Sequence, residues 1–229
     1  MGPIAPIMTN LTDTTDATEL DLAIAQYADL ELAVAGLVDG RMNHVCAACR
    51  KPCCRADVCA QAVECWFLLQ VSQHVHGKWW PDDWQSRKDP FALTAGPWGP
   101  LRGGCLLKAG RPLICRSFVC DAYVASYGSL WEAVFMSFAS DLLWHAGQIT
   151  GTVSVESLDE DRAPSHAGKL RRNLADARRQ LDLAMTLMDP AATELDKHRV
   201  TLKLLCLAPR CFRATMRRAI LDSLGDLPA

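Results

Sequence analysis

Four cysteines, Cys46, Cys49, Cys53 and Cys54, fall within nine residues, in the run His44-Val-Cys-Ala-Ala-Cys-Arg-Lys-Pro-Cys-Cys-Arg55. No other segment limits the chain so strongly. Crowded thiolates repel one another when ionised and oxidise readily when not. A fold that gathers them must therefore cross-link them or wrap them round a soft metal ion or an iron–sulfur cluster. A second knot follows about fifty residues later, in Cys105-Leu-Leu-Lys-Ala-Gly-Arg-Pro-Leu-Ile-Cys115-Arg-Ser-Phe-Val-Cys120.

Cross-linking is the poorer explanation. Eleven cysteines is an odd number, which a closed set of intrachain disulfides cannot use up. The first twenty or so residues are rich in Thr and Asp and have neither a basic start nor an apolar stretch, so they do not read as a secretory signal. The expected compartment is the cytoplasm, where thiols stay reduced. No run of apolar residues is long enough to span a bilayer, and a formal net charge of −2 gives no global basic field for nucleic acid or an anionic membrane.

Half of the 229 residues are apolar, enough for one substantial core. The chain reads as mostly α, a helical body holding an irregular cysteine-rich metal-binding insert. Residues 1–40 form a leader and an N-terminal helix, 41–125 the cysteine module and 126–229 a C-terminal helical region, together one compact domain. The first helix is expected from Asp16 to about Val38, with Leu20, Ala23, Ile24, Tyr27, Leu30 and Val34 at three- and four-residue steps and Gly36 and Gly40 as exits.

A second helix is expected from Asp57 to His76, with Val58, Ala62, Cys65, Leu69 and Ser72 on one face. Residues 77–104 concentrate proline and glycine and read as a long ordered loop. A buried helix is expected over Ser129–Ile149 and a short strand over Thr152–Glu156. A further helix over Ser165–Met188 has a stripe of Leu170, Leu174, Ala177, Leu181, Ala184 and Met188. The last helical group runs from about Ala191 to Leu224, interrupted near Pro209.

Within the knots, Cys46-x2-Cys49 is the commonest chelating step, because two intervening residues let both sulfurs turn toward one ion. Adjacent Cys53 and Cys54 diverge, so one of them faces elsewhere or serves a second metal of a cluster. With Cys105, Cys115 and Cys120 the thiols number seven, more than a single tetrahedral zinc or a cubane cluster uses. The bacterial and plant-type ferredoxin spacings are absent, and no second Cys-x2-Cys completes a zinc ribbon.

The pattern resembles the YkgJ-type cysteine-cluster family, described generally as zinc- or iron-chelating, over roughly residues 44–122. The first knot is similar to its CxxCxxCC signature. The second matches its two cysteines separated by nine residues that include Arg-Pro, in the run Arg-Pro-x-x-Cys-Arg-x-aromatic, here Cys105, Arg111, Pro112, Cys115, Arg116 and Phe118. Two departures stand out. Arg50-Lys51-Pro52 is three residues where the family has two, and Pro97–Leu101 holds no thiol where the family often places one. The resemblance implies a metal- or cluster-binding module.

The remaining cysteines, Cys59, Cys65, Cys206 and Cys211, sit among apolar residues on expected helices, where a free thiol packs as a small hydrophobe. A four-thiolate centre on zinc or a 4Fe–4S core leaves a net negative charge. Arg50, Lys51, Arg55, Arg111 and Arg116 supply cations beside it, with Arg111 and Arg116 the foremost outer partners of the sulfurs. His44 and the pair His74 and His76 have metal-compatible side chains but no spacing that ties them to a site.

Trp79, Trp80, Trp84 and Trp98 read as plugs fixing the Pro/Gly-rich loop to the body, or as the lining of a partner surface. The basic residues Lys169, Arg171, Arg172, Arg178 and Arg179 read as a solvated, ion-paired helix face, given the interspersed Asp176 and Asp182. Phosphate-binding glycine loops, the GxSxG elbow, HExxH and the radical-SAM cysteine spacing are all absent, and no catalytic residue is named.

The expectation is thus a cytoplasmic protein with a cysteine-ligated centre drawing on Cys46, Cys49, Cys53, Cys54, Cys105, Cys115 and Cys120. The iron–sulfur form, possible as 4Fe–4S, would serve electron transfer, redox sensing or metal-assisted modification, with a redox or substrate protein as partner and neither nucleic acid nor membrane. The alternative is a structural zinc module supporting a helical interaction domain.

Overall fold

The computed structural model describes residues 18–47, 65–77, 109–111, 113, 127–208, 211, 212, 218, 220 and 222, and within 39–47 the backbone alone. Described residues are mostly helical, with five α-helices and no strand among them. Most of the expected cysteine module at 41–125 lies outside the described residues.

Helix α1 (Glu19–Ala47) starts at a reciprocal cap. The Thr18 hydroxyl accepts the Asp21 amide at 3.1 Å, and the Asp21 carboxylate accepts the Thr18 amide at 3.0 Å. The expected stripe is the buried face: Ala23, Ile24, Tyr27, Leu30 and Val34 are buried and Leu20 packs beside them. Gly36 and Gly40 do not end the helix, which continues to Ala47. A helix-interior glycine costs only about 1 kcal/mol relative to alanine. Burial of a long apolar face offsets that, and Gly77 and Gly110 are the described glycines that take positive φ.

Helix α2 (Trp66–His76) has Cys65 as its extended N-cap (φ −95°, ψ 108°) and Gly77 in left-handed conformation at its end. Of the helix expected over 57–76, residues 57–64 lie outside the described residues, and Cys65 itself is extended rather than helical. The buried residues of α2 are Phe67, Leu68, Val71 and Ser72. Of the expected face, Cys65 and Ser72 are buried and Leu69 is half-buried, while Val58 and Ala62 lie outside the described residues.

Helix α3 (Leu130–Gly147) matches the expected buried helix. The Ser129 hydroxyl caps it by accepting the Glu132 amide, and residues on most sides of it are buried.

A strand was expected next. The chain instead makes one antiparallel bridge, Gln148 with Ser154, and then a 3-10 turn, Val155–Ser157. Local hydroxyls account for the difference. Thr150 accepts the Val153 amide at 3.0 Å, and Ser157 accepts the Ser154 amide at 3.1 Å, so side chains satisfy the backbone that a ladder would otherwise pair.

Helix α4 (Ala163–Ala184), extended by a 3-10 turn at Met185–Met188, buries Leu170, Leu174, Ala177, Leu181 and Ala184, with Met188 packed at the edge. Helix α5 (Glu194–Leu207) opens on a Thr193–Asp196 capping box. Its Glu194 carboxylate accepts the Trp131 indole N–H at 2.7 Å, tying α5 to α3.

Helix α4 is central, packing on α1, α3 and α5, while α2 lies against α1 and the 155–157 turn. Tyr27 and Phe67 meet edge-to-face at 5.5 Å across the α1–α2 contact.

Candidate functional site

The expected ligands Cys49, Cys53, Cys54, Cys105, Cys115 and Cys120 lie outside the described residues, as do Cys59, Arg50, Lys51, Arg55, Arg116 and the tryptophans at 79, 80, 84 and 98. Cys46 and His44 belong to the last turns of α1, where the backbone alone is described. What the structure does describe is how the body holds the chain beside the first knot and part of the chain within the second.

Residues 109–111 and Leu113 lead toward Cys115, with Ala109, Gly110 and Leu113 buried and the segment set against α1 and α2. Glu31, wholly buried on α1, turns its carboxylate onto this segment. One oxygen accepts the Gly110 amide at 2.6 Å and the other accepts the Arg111 amide at 3.1 Å. A carboxylate is costly to bury unless its oxygens are satisfied, and two backbone donors meet that condition here.

Gly110 makes the approach possible. Its φ is +73°, and a Cβ there would stand 2.4 Å from the Leu68 carbonyl oxygen and 3.0 Å from the Ser72 Cβ. Glycine alone fits both demands.

A second carboxylate takes the next donor. Glu156, in the 3-10 turn, accepts the Leu113 amide at 2.8 Å. The Leu113 side chain is buried against Gly147, whose missing Cβ leaves room for both Leu113 and Val155. The same turn also receives the end of the first cysteine segment, because the Cys65 thiol donates to the Val155 carbonyl at 3.3 Å. The three-residue turn Val155–Ser157 thus binds Cys65, eleven residues after Cys54, and Leu113, two residues before Cys115.

Arg111, expected as an outer partner of the sulfurs, is half-buried with its amide on Glu31. Neither Glu31 nor Glu156 was singled out from sequence. Glu31 had a readable signal, since it lies on the same helical row as Tyr27, Val34 and Val38, all of them buried. Glu156 had none, being expected in a strand.

The described cysteines divide by chemistry. Cys65 is buried, and burial foremost, with the Glu156 charge adding and the Leu68 amide opposing, pushes its thiol up to about 11. Cys211 is buried too, and burial, followed by the Asp141 charge, pushes it up to about 12. Both hold their protons at neutral pH and fit the expected role of small hydrophobes rather than thiolate ligands.

Cys206 departs from that expectation and is exposed. Helix α5 buries only the narrow row of His198, Thr201 and Leu204, and Cys206 falls outside it. His74 and His76 are both exposed, two residues apart on α2, a spacing whose side chains do not face each other. Among the described residues no three His, Cys, Asp or Glu side chains group closely enough to hold a metal ion.

A cleft of about 570 Å³ opens between α3, α4 and the end of α5, lined by His145, Thr150, Asn173, Asp176, Gln180 and Cys211 among others. It shares no residue with the carboxylate clasp. No helix among the described residues is long and apolar enough to cross a membrane. Comparisons of the chain with protein-family models, with curated proteins and with solved structures find no match.

Proposed function

We propose that this is a cysteine-ligated metal-centre protein, with an iron–sulfur cluster favoured over zinc, acting in electron transfer, redox sensing or metal-assisted modification of a partner protein. One observation carries the proposal further than the spacing does. The chain after the first knot and the chain within the second, between Cys105 and Cys115, are both hydrogen-bonded to the turn Val155–Ser157, through Cys65 and Leu113. Cys115 follows Leu113 by two residues, so covalent geometry keeps its Cα within about 7 Å of Leu113's. A scaffold that tethers both cysteine segments to one turn favours thiolates from both knots sharing one centre.

The donor chemistry fits the group. Cys46, Cys49, Cys53, Cys54, Cys105, Cys115 and Cys120 would hold it, and the buried, protonated Cys65 and Cys211 stand apart from the ligand set. The excess of thiols over four, the adjacent pair Cys53–Cys54 and the cations Arg111 and Arg116 suit a polynuclear centre better than one tetrahedral ion. Such a centre supplies one-electron redox chemistry or, with an open iron position, Lewis acidity. The resemblance to the YkgJ-type family points the same way.

The second reading, a structural zinc module supporting a helical interaction domain, draws on α5. Its Leu195 and Leu202, seven residues apart on one face, are exposed, an apolar surface that a folded partner could cover.

Iron, zinc and acid-labile sulfide per chain, measured on anaerobically purified protein with its visible spectrum, separate the two. Iron and sulfide in matching amounts with broad absorption support the cluster. Stoichiometric zinc without colour favours the structural module, and absence of any metal overturns both.

A further inference from the structure

We infer that Glu31 and Glu156 are positioning residues for the metal centre, a two-carboxylate clasp that fixes the second cysteine knot before metal arrives. The inference rests on the metal-centre reading and adds to it residues that no cysteine pattern names. The clasp takes three backbone donors in four residues, the amides of Gly110, Arg111 and Leu113. The two acceptors come from opposite sides, Glu31 from α1 and Glu156 from the turn between α3 and α4.

Each acceptor is ionic, and such bonds hold more tightly than neutral ones. The segment is also wedged, with Gly110 against the Leu68 carbonyl and Leu113 against Gly147. Held in this way, the backbone two residues before Cys115 has little freedom left to lose when metal binds. Ordering a loop at the moment of binding lowers affinity, and a loop ordered beforehand avoids that cost.

A carboxyl–backbone clasp is also the specific device the geometry needs. Glu31 uses both oxygens as acceptors, so an isosteric amide could satisfy only one of the two N–H groups and would set an N–H against the other.

The test uses full-length protein carrying the metal it is purified with, and compares wild type with Glu31→Gln, Glu156→Ala and the exposed control Glu160→Gln. The first readout is the rate at which a chromophoric chelator takes up iron or zinc. The second is the thermal midpoint of loaded and metal-stripped protein. Positioning predicts release about 10–100-fold faster from Glu31→Gln and Glu156→Ala, with Glu160→Gln at the wild-type rate. It also predicts a smaller gap between loaded and stripped midpoints, since a weaker site stabilises the fold less.

Release at the wild-type rate from both clasp variants overturns the inference while leaving the metal-centre reading intact. An equal drop in loaded and stripped midpoints with unchanged release does the same, because it marks a purely structural role. Wild-type protein without metal overturns both together. If Glu31→Gln does not fold, the half-buried Glu156 carries the decision through Glu156→Ala alone, since that variant removes the acceptor of the Leu113 amide.

Discussion

The carboxylate of Glu31 accepts the amide of Gly110 at 2.6 Å, joining residues 79 apart in sequence inside the core. Glu31 is wholly buried, and it shares its face of α1 with Tyr27, Val34 and Val38. A charge at that depth persists only where donors are already in place, so the helix and the 109–111 segment depend on each other. A closing contact of this range joins segments that local helix formation cannot bring together.

Removing the acceptor should therefore expose that dependence. Glu31→Ala leaves two buried amides without partners, at about 1–3 kcal/mol each, and a loss of about 2–5 kcal/mol in urea denaturation of the metal-stripped protein is expected. An effect under about 1 kcal/mol would mean that the amides find other acceptors at once.

The two described glycines with positive φ offer a paired comparison. At Gly77, φ is +66° and an added Cβ meets nothing within 4 Å, so Gly77→Ala carries the left-handed penalty alone, about 1–2 kcal/mol. At Gly110 the added Cβ stands 2.4 Å from the Leu68 carbonyl oxygen. Backbone cannot yield as a side-chain tip does, so Gly110→Ala should lose more than Gly77→Ala, by roughly 1–3 kcal/mol on the scale of overpacking. Equal losses at the two sites would show that residues 109–111 move away from α2 freely.

The fold and the candidate site were unequally legible in the sequence, for reasons that individual residues make plain. Leu170, Leu174, Ala177, Leu181 and Ala184 are buried as their spacing implied, because a long helix with one polar face has a single way to turn inward. The end of α1 was misplaced, because glycines at 36 and 40 suggest exits that tertiary packing overrides. The turn at 155–157 was misread as a strand, because the hydroxyls of Thr150 and Ser157 act over three residues, below the reach of an alternation count.

The clasp was hidden for a different reason. Charged residues are expected at the surface, and the donors that justify burying Glu31 lie nearly eighty positions away.

Thiol chemistry gives a third prediction, on protection and on pH. Peptide-resolved alkylation of native protein should modify exposed Cys206 and spare Cys65 and Cys211 until the chain unfolds. Their ordinary value is 9.0, raised in the folded chain to about 11 for Cys65 and about 12 for Cys211. Below the ordinary value both states keep their protons, and the contribution to stability is whole. As the pH rises beyond it the unfolded chain gives up its protons first, so stability falls through the alkaline range. Denaturation midpoints at neutral pH and at about pH 10 should show this fall, and a Cys65→Ala, Cys211→Ala double variant should flatten it.

The last prediction concerns which sulfurs hold the centre. Cys49→Ser and Cys115→Ser should each strip the metal, because a hydroxyl is a poor substitute for a soft thiolate donor. Cys206→Ser should keep full occupancy, as that residue stands exposed on α5 and belongs to neither knot of the sequence. Cys65→Ala should keep it too, since a thiol held protonated against the Val155 carbonyl is unavailable as a thiolate. The pattern of loss is as informative as its presence. Complete loss from either single ligand variant requires one centre that both knots complete, which is what the shared tether to Val155–Ser157 favours. Half of the metal remaining in each would mean two independent sites, and full metal in Cys115→Ser would remove the second knot from the ligand set.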